Sequence, residues 1–246
     1  MDNLKDKTLG MVLTTVALND KAQLVHLYTQ LFGRVTCRVP LISRGKQASR
    51  LRNMMTPMTV LELVLGGRPS DPIRSITEAN IIQSPYLLTI SHPEKSAQCL
   101  YMAELISHTI REMEPNERLW TFLSGSLDIL ENCESGWANF HLIFTCGLIY
   151  QLGFGIDTDS YTEGCCFDLR EGEFTKMRIP HPYYLNAESA KWFCRLFDTQ
   201  YDRMHELEFN REQRAALLDM LLAFLVQQVP EMGQIRSIDV LKTLFR

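Results

Sequence analysis

The spacing of apolar residues changes once along this 246-residue chain, and the change divides it into two parts. Up to residue 83, apolar and polar side chains alternate in short runs, a pattern that indicates β-strands. From Pro93 onward, apolar side chains recur every three or four residues, as they do in amphipathic helices. The sequence therefore predicts an α+β multidomain protein, with a β-domain at residues 1–83 and a helical domain at residues 84–246.

The first domain contains five short runs with strand character, separated by turn residues. The runs cover residues 9–18, 23–31, 34–42, 58–65 and 72–82. Five strands whose longest connection lies between the third and the fourth predict a small β-barrel of the oligonucleotide-binding (OB) type. An SH3-like barrel or a small sandwich would produce much the same pattern, so these two alternatives stay open at this point.

The second domain is predicted to be all-helical, with one short irregular insertion. Helical periodicity covers residues 94–112, a segment from Pro115, residues 136–154, 187–205 and 210–230, and a last segment from Ser237. Asn210 can cap its helix while Gln213 reaches back, which predicts a capping box. Residues 156–186 interrupt the helices with turn residues and short β-prone pieces.

Positive charge is concentrated in residues 33–52, GRVTCRVPLISRGKQASRLR. The chain has a net charge of −4, yet residues 1–82 contain 11 Lys or Arg against 6 Asp or Glu, and no acidic residue lies between Lys21 and Leu61. A local positive field in an acidic protein is typical of a surface that binds a polyanion. The candidate binding residues are the cations of this stretch: Arg34, Arg38, Arg44, Lys46, Arg50 and Arg52.

The spacing of these cations predicts how the chain presents them. Arg34 and Arg38 alternate with apolar residues, so a strand would place both on its outer face. The segment from Arg44 to Arg52 contains Gly, Ser and Gln and lacks an apolar repeat, which predicts a mobile loop. A strand face followed by a basic loop could follow a phosphate backbone. The alternative is a solvated strand and loop whose charges only aid solubility.

Aromatic residues that could stack on bases are scarce in the first domain, where Tyr28 and Phe32 are the two candidates. Phe32 adjoins Gly33 and is predicted to lie in the core, whereas the pattern leaves Tyr28 either buried or exposed. The sequence therefore predicts an electrostatic groove that does not read base sequence. Binding in such a groove should weaken steeply with salt.

The motifs of several enzyme classes are missing. The chain contains neither G-x-x-x-x-G-K-[ST] nor G-x-G-x-x-G, and it has no G-x-S-x-G nucleophile motif. Six acidic residues between Asp157 and Glu173 could suggest an Mg²⁺ nuclease, but their spacing is irregular, and a solvated acidic loop is favoured. The sequence predicts a protein without enzymatic activity and without a cofactor.

The cysteines and the hydropathy of the chain indicate in which cellular compartment it is expected. The seven cysteines are odd in number and scattered, which predicts reduced thiols in a cytosolic protein. Cys165 and Cys166 are adjacent and no C-x-x-C pair occurs, so zinc is not expected. Residues 135–156 contain no charged side chain, but they include Asn139 and His141, and a buried central helix is predicted in place of a membrane span.

Several short motifs occur in an order that is similar to one known family. They are a G-x-V-L strand at residues 10–13, the hairpin LYTQLFGRV, the RGK loop with its SRLR run, and a Pro-led strand at residues 57–65. The later pieces LGFG, FDLREGEF, HPYYL and VLKTLF look like the form found in Bacteroides-like bacteria. In this order the motifs resemble the bacterial recombination mediator RecO family.

The resemblance implies an N-terminal OB barrel, a helical domain, and a DNA-binding function. It implies binding of single- and double-stranded DNA, annealing of complementary strands, and help in loading the RecA recombinase onto DNA coated with single-strand-binding protein. The implied partners are the RecR ring protein and the tail of the single-strand-binding protein, at a cytoplasmic, nucleoid-associated location. An RNA-binding OB-fold protein and a helical protein-interaction scaffold are the alternatives.

The resemblance also assigns residues. In relatives the basic loop and the barrel face hold DNA, and these regions correspond here to the six cations of residues 33–52. Many members have two C-x-x-C pairs in the insertion at residues 156–186, where this chain has only Cys165 and Cys166. The zinc site is therefore not carried over to this chain.

Overall fold

The computed structural model of the chain describes residues 6–41, 46–85 and 92–244. The chain divides into two compact units. Unit 1 contains Met1–Leu127 with Ile235–Ser237, and unit 2 contains Asp128–Gln234 with Ile238–Arg246.

Unit 1 contains a closed barrel of five strands. The strands are β1 (Asp6–Asn19), β2 (Ala22–Thr29), β3 (Gly33–Pro40), β4 (Val60–Gly66) and β5 (Arg74–Gln83). Their order around the barrel is β1-β2-β3-β5-β4, with β1 also paired to β4. All pairs are antiparallel except β3 with β5, which is parallel and short. This Greek-key order, with a helix between β3 and β4, is that of the OB fold, so the predicted barrel is confirmed and the two alternatives are excluded.

The segment after β3 is a helix, and the predicted mobile loop is wrong from Lys46 onward. Helix α1 covers Lys46–Asn53. Lys, Gln, Ala, Arg and Leu all have high helix propensity, which favours the helix although it has no apolar repeat. Leu51 packs against the barrel core, and Met54 and Met55 directly after the helix are part of that core. Leu51 therefore anchors the described end of the helix to the barrel, and a periodicity argument could not detect this contact.

Two helices follow the barrel, α2 (Pro93–Thr109) and α3 (Glu117–Asn132). Pro93 occupies the first turn of α2, where its missing N–H costs nothing. Helix α2 packs against β1. In α3, the Trp120 ring stacks on the Tyr28 ring of β2, with 6.5 Å between ring centroids.

The turn into β3 lies directly against the segment after α2. Gly33 has a φ of +58°, and a Cβ there would collide with the main-chain oxygen of Glu114. We expect Gly33→Ala to destabilise the protein by about 2–3 kcal/mol, because strain and collision act together. Denaturation by urea would measure the loss.

Gly125 provides the matched control for this substitution. It lies in the interior of α3, and a Cβ there would have no atom within 4 Å. Gly125→Ala should therefore stabilise the protein by about 0.5–1 kcal/mol through helix propensity. Equal effects of the two substitutions would show that Gly33 is not constrained.

The last residues of α3, Asp128–Asn132, belong to unit 2, and the further helices of that unit follow a 3₁₀ turn at Trp137–Asn139. They are α4 (Phe140–Gln151), α5 (Ala187–Phe197), a 3₁₀ helix at Tyr201–Glu206, α6 (Arg211–Gln228) and α7 (Ser237–Leu244), whose first residue belongs to unit 1. The predicted capping box is confirmed, because Asn210 and Gln213 exchange side-chain to main-chain hydrogen bonds of 2.9 Å. No helix in the described ranges is both long and apolar enough to cross a membrane.

The helix predicted at residues 187–205 is shorter than expected, since α5 ends at Phe197. Asp198 and Thr199 follow it, and both residue types favour bonds to nearby main chain over a continued helix. The Thr199 hydroxyl donates to the carbonyl oxygen of Arg195 at 2.7 Å. The chain then resumes as the separate 3₁₀ helix.

The predicted irregular insertion contains a small antiparallel sheet. Its strands are β6 (Cys166–Asp168), β7 (Glu173–Thr175) and β8 (Tyr184–Leu185), in the order β7-β6-β8. The Phe167 ring is fully buried and lies 4.8 Å from Phe174, 4.8 Å from Phe193 of α5 and 5.5 Å from Phe224 of α6. Aromatic packing therefore fixes this sheet to the helices of unit 2.

Candidate nucleic-acid interface

The register of β1, β2 and β3 arranges their outward side chains in three rows across the barrel. The rows are Val16, Leu24 and Arg38; Thr14, His26 and Thr36; and Met11, Tyr28 and Arg34. In the third row, Met11 and Tyr28 are fully buried. The first two rows are at least partly accessible, and we call them the open face. Strands 2 and 3 are the ones whose outer face binds oligonucleotides in OB folds.

Strand β3 confirms the alternation predicted for residues 34–39. Val35, Cys37 and Val39 point into the barrel core, whereas Arg38 is exposed on the outer side. Alternation alone could place Arg38 correctly because the period of a strand is two. The structure leaves Arg38 directed to solvent at the edge of the open face.

Arg34 lies on the same side of β3, but its guanidinium group is already bonded to main-chain oxygens. Its guanidinium group donates hydrogen bonds of 2.7 Å to the carbonyl oxygens of Ser107 and Ile110, at the C-terminal end of α2. The last carbonyls of a helix have no partner within the helix and attract cations. Burial, followed by the nearby charge of Arg111, lowers the pKa of Arg34. Arg34 therefore joins the barrel to α2 from a half-buried position.

The two described arginines of α1 lie at the other end of β3. Arg52 donates from Nη1 to the carbonyl oxygen of Leu41 at 3.5 Å, three residues beyond Arg38. Arg50 lines a groove of about 400 Å³ between α1 and β5, together with Pro40. Both guanidinium groups are exposed. We call Arg38, Arg50 and Arg52 the basic ridge, since Arg38 lies in β3, Arg50 lines the same groove as Pro40, and Arg52 bonds to Leu41 directly after the strand.

The remaining two predicted residues are not located. Arg44 lies outside the described residues, and so does the side chain of Lys46, the first residue of α1.

A second group of cations, which the sequence analysis missed, lies at the Arg34 end of β3. A cleft of about 520 Å³ is lined there by His26, Arg34, Thr36, Ser107, His108, Arg111 and Met113. We call it the cationic cleft. The alternation of β2 could have placed His26 outward, but no pattern in the sequence connects β2 with residues 107–113.

The two rings considered for base stacking are not on the open face. Tyr28 is buried against Trp120, and burial raises its pKa to about 12. Phe32 packs against the barrel core, as predicted, with the Arg74 guanidinium 5.0 Å above its ring. The face can therefore bind phosphates through cations, but neither of these rings can stack on a base.

Comparisons with known proteins assign most of the chain to one family. The family model "Recombination protein O N terminal" matches residues 1–85, and "Recombination protein O C terminal" matches residues 91–234. The chain belongs to the RecO family. The protein named DNA repair protein RecO of Bacteroides fragilis is 33% identical over 240 residues, which cover 97% of this chain and 98% of that protein. Those of Phocaeicola vulgatus and Azobacteroides pseudotrichonymphae are 30% and 27% identical, each over 97% of this chain and 98% of the relative.

The residues of this RecO-family chain do not fit the zinc site that the resemblance implies for many members. Cys165 is buried directly before β6, whereas Cys166, the first residue of that strand, is partly exposed. Within the described residues, no group of three or more His, Cys, Asp or Glu side chains is arranged to hold a metal ion. No step of the proposed function depends on zinc.

The acidic residues of the insertion are not one solvated loop, and that expectation is wrong for Asp168. Its carboxylate is buried, accepts from the main-chain N–H groups of Arg170 and Glu171, and lies 3.2 Å from Nε2 of His181. Asp157 caps the 3₁₀ turn at Thr158–Ser160. Both side chains have structural tasks, and the nuclease interpretation gains no support from them.

Proposed function

We propose that this RecO-family protein is a non-enzymatic recombination mediator that binds single- and double-stranded DNA and anneals complementary strands. In this function it would also help to load the RecA recombinase onto DNA coated with single-strand-binding protein. The observation that supports the proposal most directly is the basic ridge beside the open face of an OB barrel. The RecR ring protein and the tail of the single-strand-binding protein are the protein partners that this function requires.

DNA would lie along β3, from the cationic cleft to the basic ridge. Arg34 and Arg38 are four residues apart on one strand, which separates their Cα atoms by about 13 Å. A strand of DNA that spans this distance places several phosphates opposite protein cations. Arg44, before α1, and Lys46, its first residue, complete the proposed DNA-binding residues, and Arg34 contributes its charge from a half-buried position.

Annealing follows from charge neutralisation and proximity. Two complementary strands repel each other through their phosphates, and protein cations release the counterions that would otherwise screen that repulsion. A protein that holds both strands on one surface also raises their local concentration. Neither effect needs a catalytic group, so the proposal requires no active site.

The acidic character of the second part of the chain fits a role in protein contacts. Residues 83–246 contain 14 Lys or Arg against 23 Asp or Glu, so this part repels DNA on average. We therefore assign DNA to the barrel and the protein partners to the helices.

A titration with salt tests the electrostatic nature of the interaction. If about four cations contact phosphates, affinity for single-stranded DNA should fall about 50-fold between about 50 mM and 200 mM salt. Fluorescence anisotropy with a labelled oligothymidine would measure the slope. A flat salt dependence would contradict binding through the phosphate backbone.

A competition between single-stranded DNA and RNA of matched sequence separates the proposal from its alternatives. We expect RNA to compete no better than DNA. A clear preference for RNA would support an RNA-binding OB-fold protein. The absence of any nucleic-acid binding at low salt would support the protein-interaction scaffold.

A further inference from the structure

One edge of β5 has a neighbouring strand along only part of its length. On the side of β4, the pairing of β5 continues to Gln83. On the side of β3, the parallel pairing stops at Ser75, and β3 itself ends at Pro40. From Ile76 onward, no strand in the described ranges lies along this second edge of β5. The edge of a strand without a neighbour is a template for pairing with another chain.

A groove of about 400 Å³ lies beside this part of β5. Its lining includes five consecutive residues of the strand, 76–80, and on the opposite side Leu51 of α1 and Met54 after it. Consecutive side chains of a strand point to opposite faces of the sheet. A groove that is lined by all five residues therefore follows the edge of β5 and not one of its faces. This is the position in which an added strand would lie.

The side chains along this edge do not prevent pairing. Natural proteins often protect an open edge with Lys or Pro, and residues 76–83 contain neither. Ile81 and Ile82 are 47% and 58% exposed, although Ile is a strong strand former that is usually buried. Residues 78–81 pair regularly with β4, and the register shifts lie outside this segment. A regular edge with exposed apolar side chains is suited to contact with another protein strand.

We propose that β5 pairs with β5 of a second copy of this chain in an antiparallel, two-fold symmetric dimer. Both copies contribute the same edge, so the contact closes on itself. A second copy fits because the edge is complementary to itself when Ala79 lies opposite the partner's Ala79. Glu78 then faces the partner's Asn80, and Thr77 faces the partner's Ile81. The contact also covers part of the exposed apolar surface at the end of β5.

The neighbouring registers of such a pair are less favourable. Two-fold symmetry places one residue opposite its own copy, so the nearest alternatives centre on Glu78 or on Asn80. A pair centred on Glu78 places two carboxylates opposite each other, which is destabilising. A pair centred on Asn80 places Glu78 opposite the partner's Ile82. The register centred on Ala79 instead places Glu78, the one charged residue of residues 76–83, opposite a neutral amide.

The size and chemistry of the contact determine its strength. One strand pair with its flanking side chains is at the small end of protein interfaces, so we expect a dissociation constant on the order of 10 µM. Main-chain hydrogen bonds and apolar side chains form most of the contact, and salt screens neither of them strongly. The dimer should therefore persist at high salt, unlike any association through the basic ridge.

The dimer would also orient two DNA-binding surfaces. Strands β3 and β5 are parallel where they pair, and a two-fold axis perpendicular to them reverses their direction in the second copy. DNA strands that lie along β3 of the two copies would therefore run antiparallel, as complementary strands do in a duplex. This part of the inference rests on the proposed function, whereas the contact between the two β5 strands does not.

Sedimentation velocity without DNA tests the contact itself. At about 500 mM salt, the unaltered chain should change from monomer to dimer as its concentration increases through about 10 µM. Replacing Ile81 and Ile82 together with Gln should raise the dissociation constant at least about 10-fold, because it removes apolar area from the contact. The matched control replaces Val226 and Val240, exposed side chains of α6 and α7, with Gln and should change nothing. A chain that stays monomeric up to about 100 µM would overturn the proposal.

A cross-link tests the register. Opposite residues of an antiparallel pair have Cα atoms about 4.5–5.5 Å apart, within the range that a disulfide spans. Ala79→Cys should therefore form a covalent dimer under mild oxidation with diamide. Asn80→Cys is the matched control, and the unaltered chain, with its partly exposed Cys133, Cys166 and Cys194, gives the background. Equal cross-linking of the two variants, or none above background for Ala79→Cys, would overturn this register.

The rate of annealing of two complementary oligonucleotides tests the use of the dimer. The variant with Gln at positions 81 and 82 keeps every cation of the proposed site, so it should bind single-stranded DNA within about 2-fold of the unaltered protein. It should anneal the strands about 5-fold more slowly, because it no longer holds two strands together. Equal annealing rates would overturn the antiparallel arrangement. If the unaltered protein binds no DNA, the proposed function fails, while sedimentation and cross-linking still decide whether β5 pairs with its copy.

Discussion

Replacing Arg38, Arg50 and Arg52 together with Gln should lower the affinity for DNA about 100-fold at about 50 mM salt. In the proposed function each of the three exposed cations of the basic ridge contacts one phosphate, and the loss of a contact means that fewer counterions are released on binding. The loss should be equal for unrelated sequences, because phosphate contacts do not distinguish bases. The salt slope should also fall by about 2 for single strands.

A control with the same change in net charge is required for this variant. Lys176, Arg178 and Lys191 are exposed in unit 2, and their joint replacement with Gln removes three positive charges far along the chain from the barrel. Anisotropy titrations of both variants at several salt concentrations compare the slopes. Equal losses in the two variants would show that net charge, and not the ridge, determines binding.

The variant spares Arg34 for a structural reason. Its guanidinium group bonds to two carbonyl oxygens of α2, so replacing it would detach the barrel from that helix as well as remove a charge. A second variant that also replaces Arg44 and Lys46 tests the two cations whose side chains lie outside the described residues. We expect it to weaken binding further, because both belong to the same acid-free stretch.

The sequence predicted the barrel well because each strand specifies its own faces. Alternation places Val35 and Cys37 inward and Arg38 outward without knowledge of any partner strand. Helix α1 was not predicted because it has no apolar repeat; among its described side chains, Leu51 packs against the core. Local propensity would have been the better guide there, since most of its residues are strong helix formers.

The residues of the candidate site could be predicted only where they lie in one continuous segment of the sequence. Arg34 bonds to the carbonyl oxygens of Ser107 and Ile110, which are more than seventy residues away along the chain. No local sequence pattern predicts that contact. Arg111 is equally distant along the chain, so the pattern of residues 33–52 could not predict its position in the cleft. The sequence therefore identified a charged segment, whereas the fold decided which of its cations face solvent and which hold the structure together.

Residues 156–186 show a similar division. The short β-prone pieces were recognisable, and three of them form strands. Their attachment to the helices could not be recognised, because Phe167 packs against rings from α5 and α6 that are distant along the chain. Asp168 was expected in solvent, yet it is buried beside His181. The position of Phe167 and the burial of Asp168 both depend on packing between distant segments. The periodicity of a single sequence does not reveal such packing.

Phe167→Ala should lower the free energy of unfolding by about 3–5 kcal/mol, the largest stability effect that we expect in unit 2. The ring is fully buried among three other phenylalanines, and its removal leaves a cavity that these rings cannot all fill. Urea denaturation followed by tryptophan fluorescence would measure the change. Phe174→Ala, at the partly exposed edge of the same cluster, should cost less.

A metal chelator completes this experiment, because the small sheet could be held either by aromatic packing or by a bound ion. If packing holds it, a chelator should leave the unfolding curve of the unaltered protein in place, while Phe167→Ala shifts it strongly. A structural zinc ion contributes folding free energy directly, so its removal would unfold the insertion. A chelator effect as large as that of Phe167→Ala would contradict a sheet held by its phenylalanines.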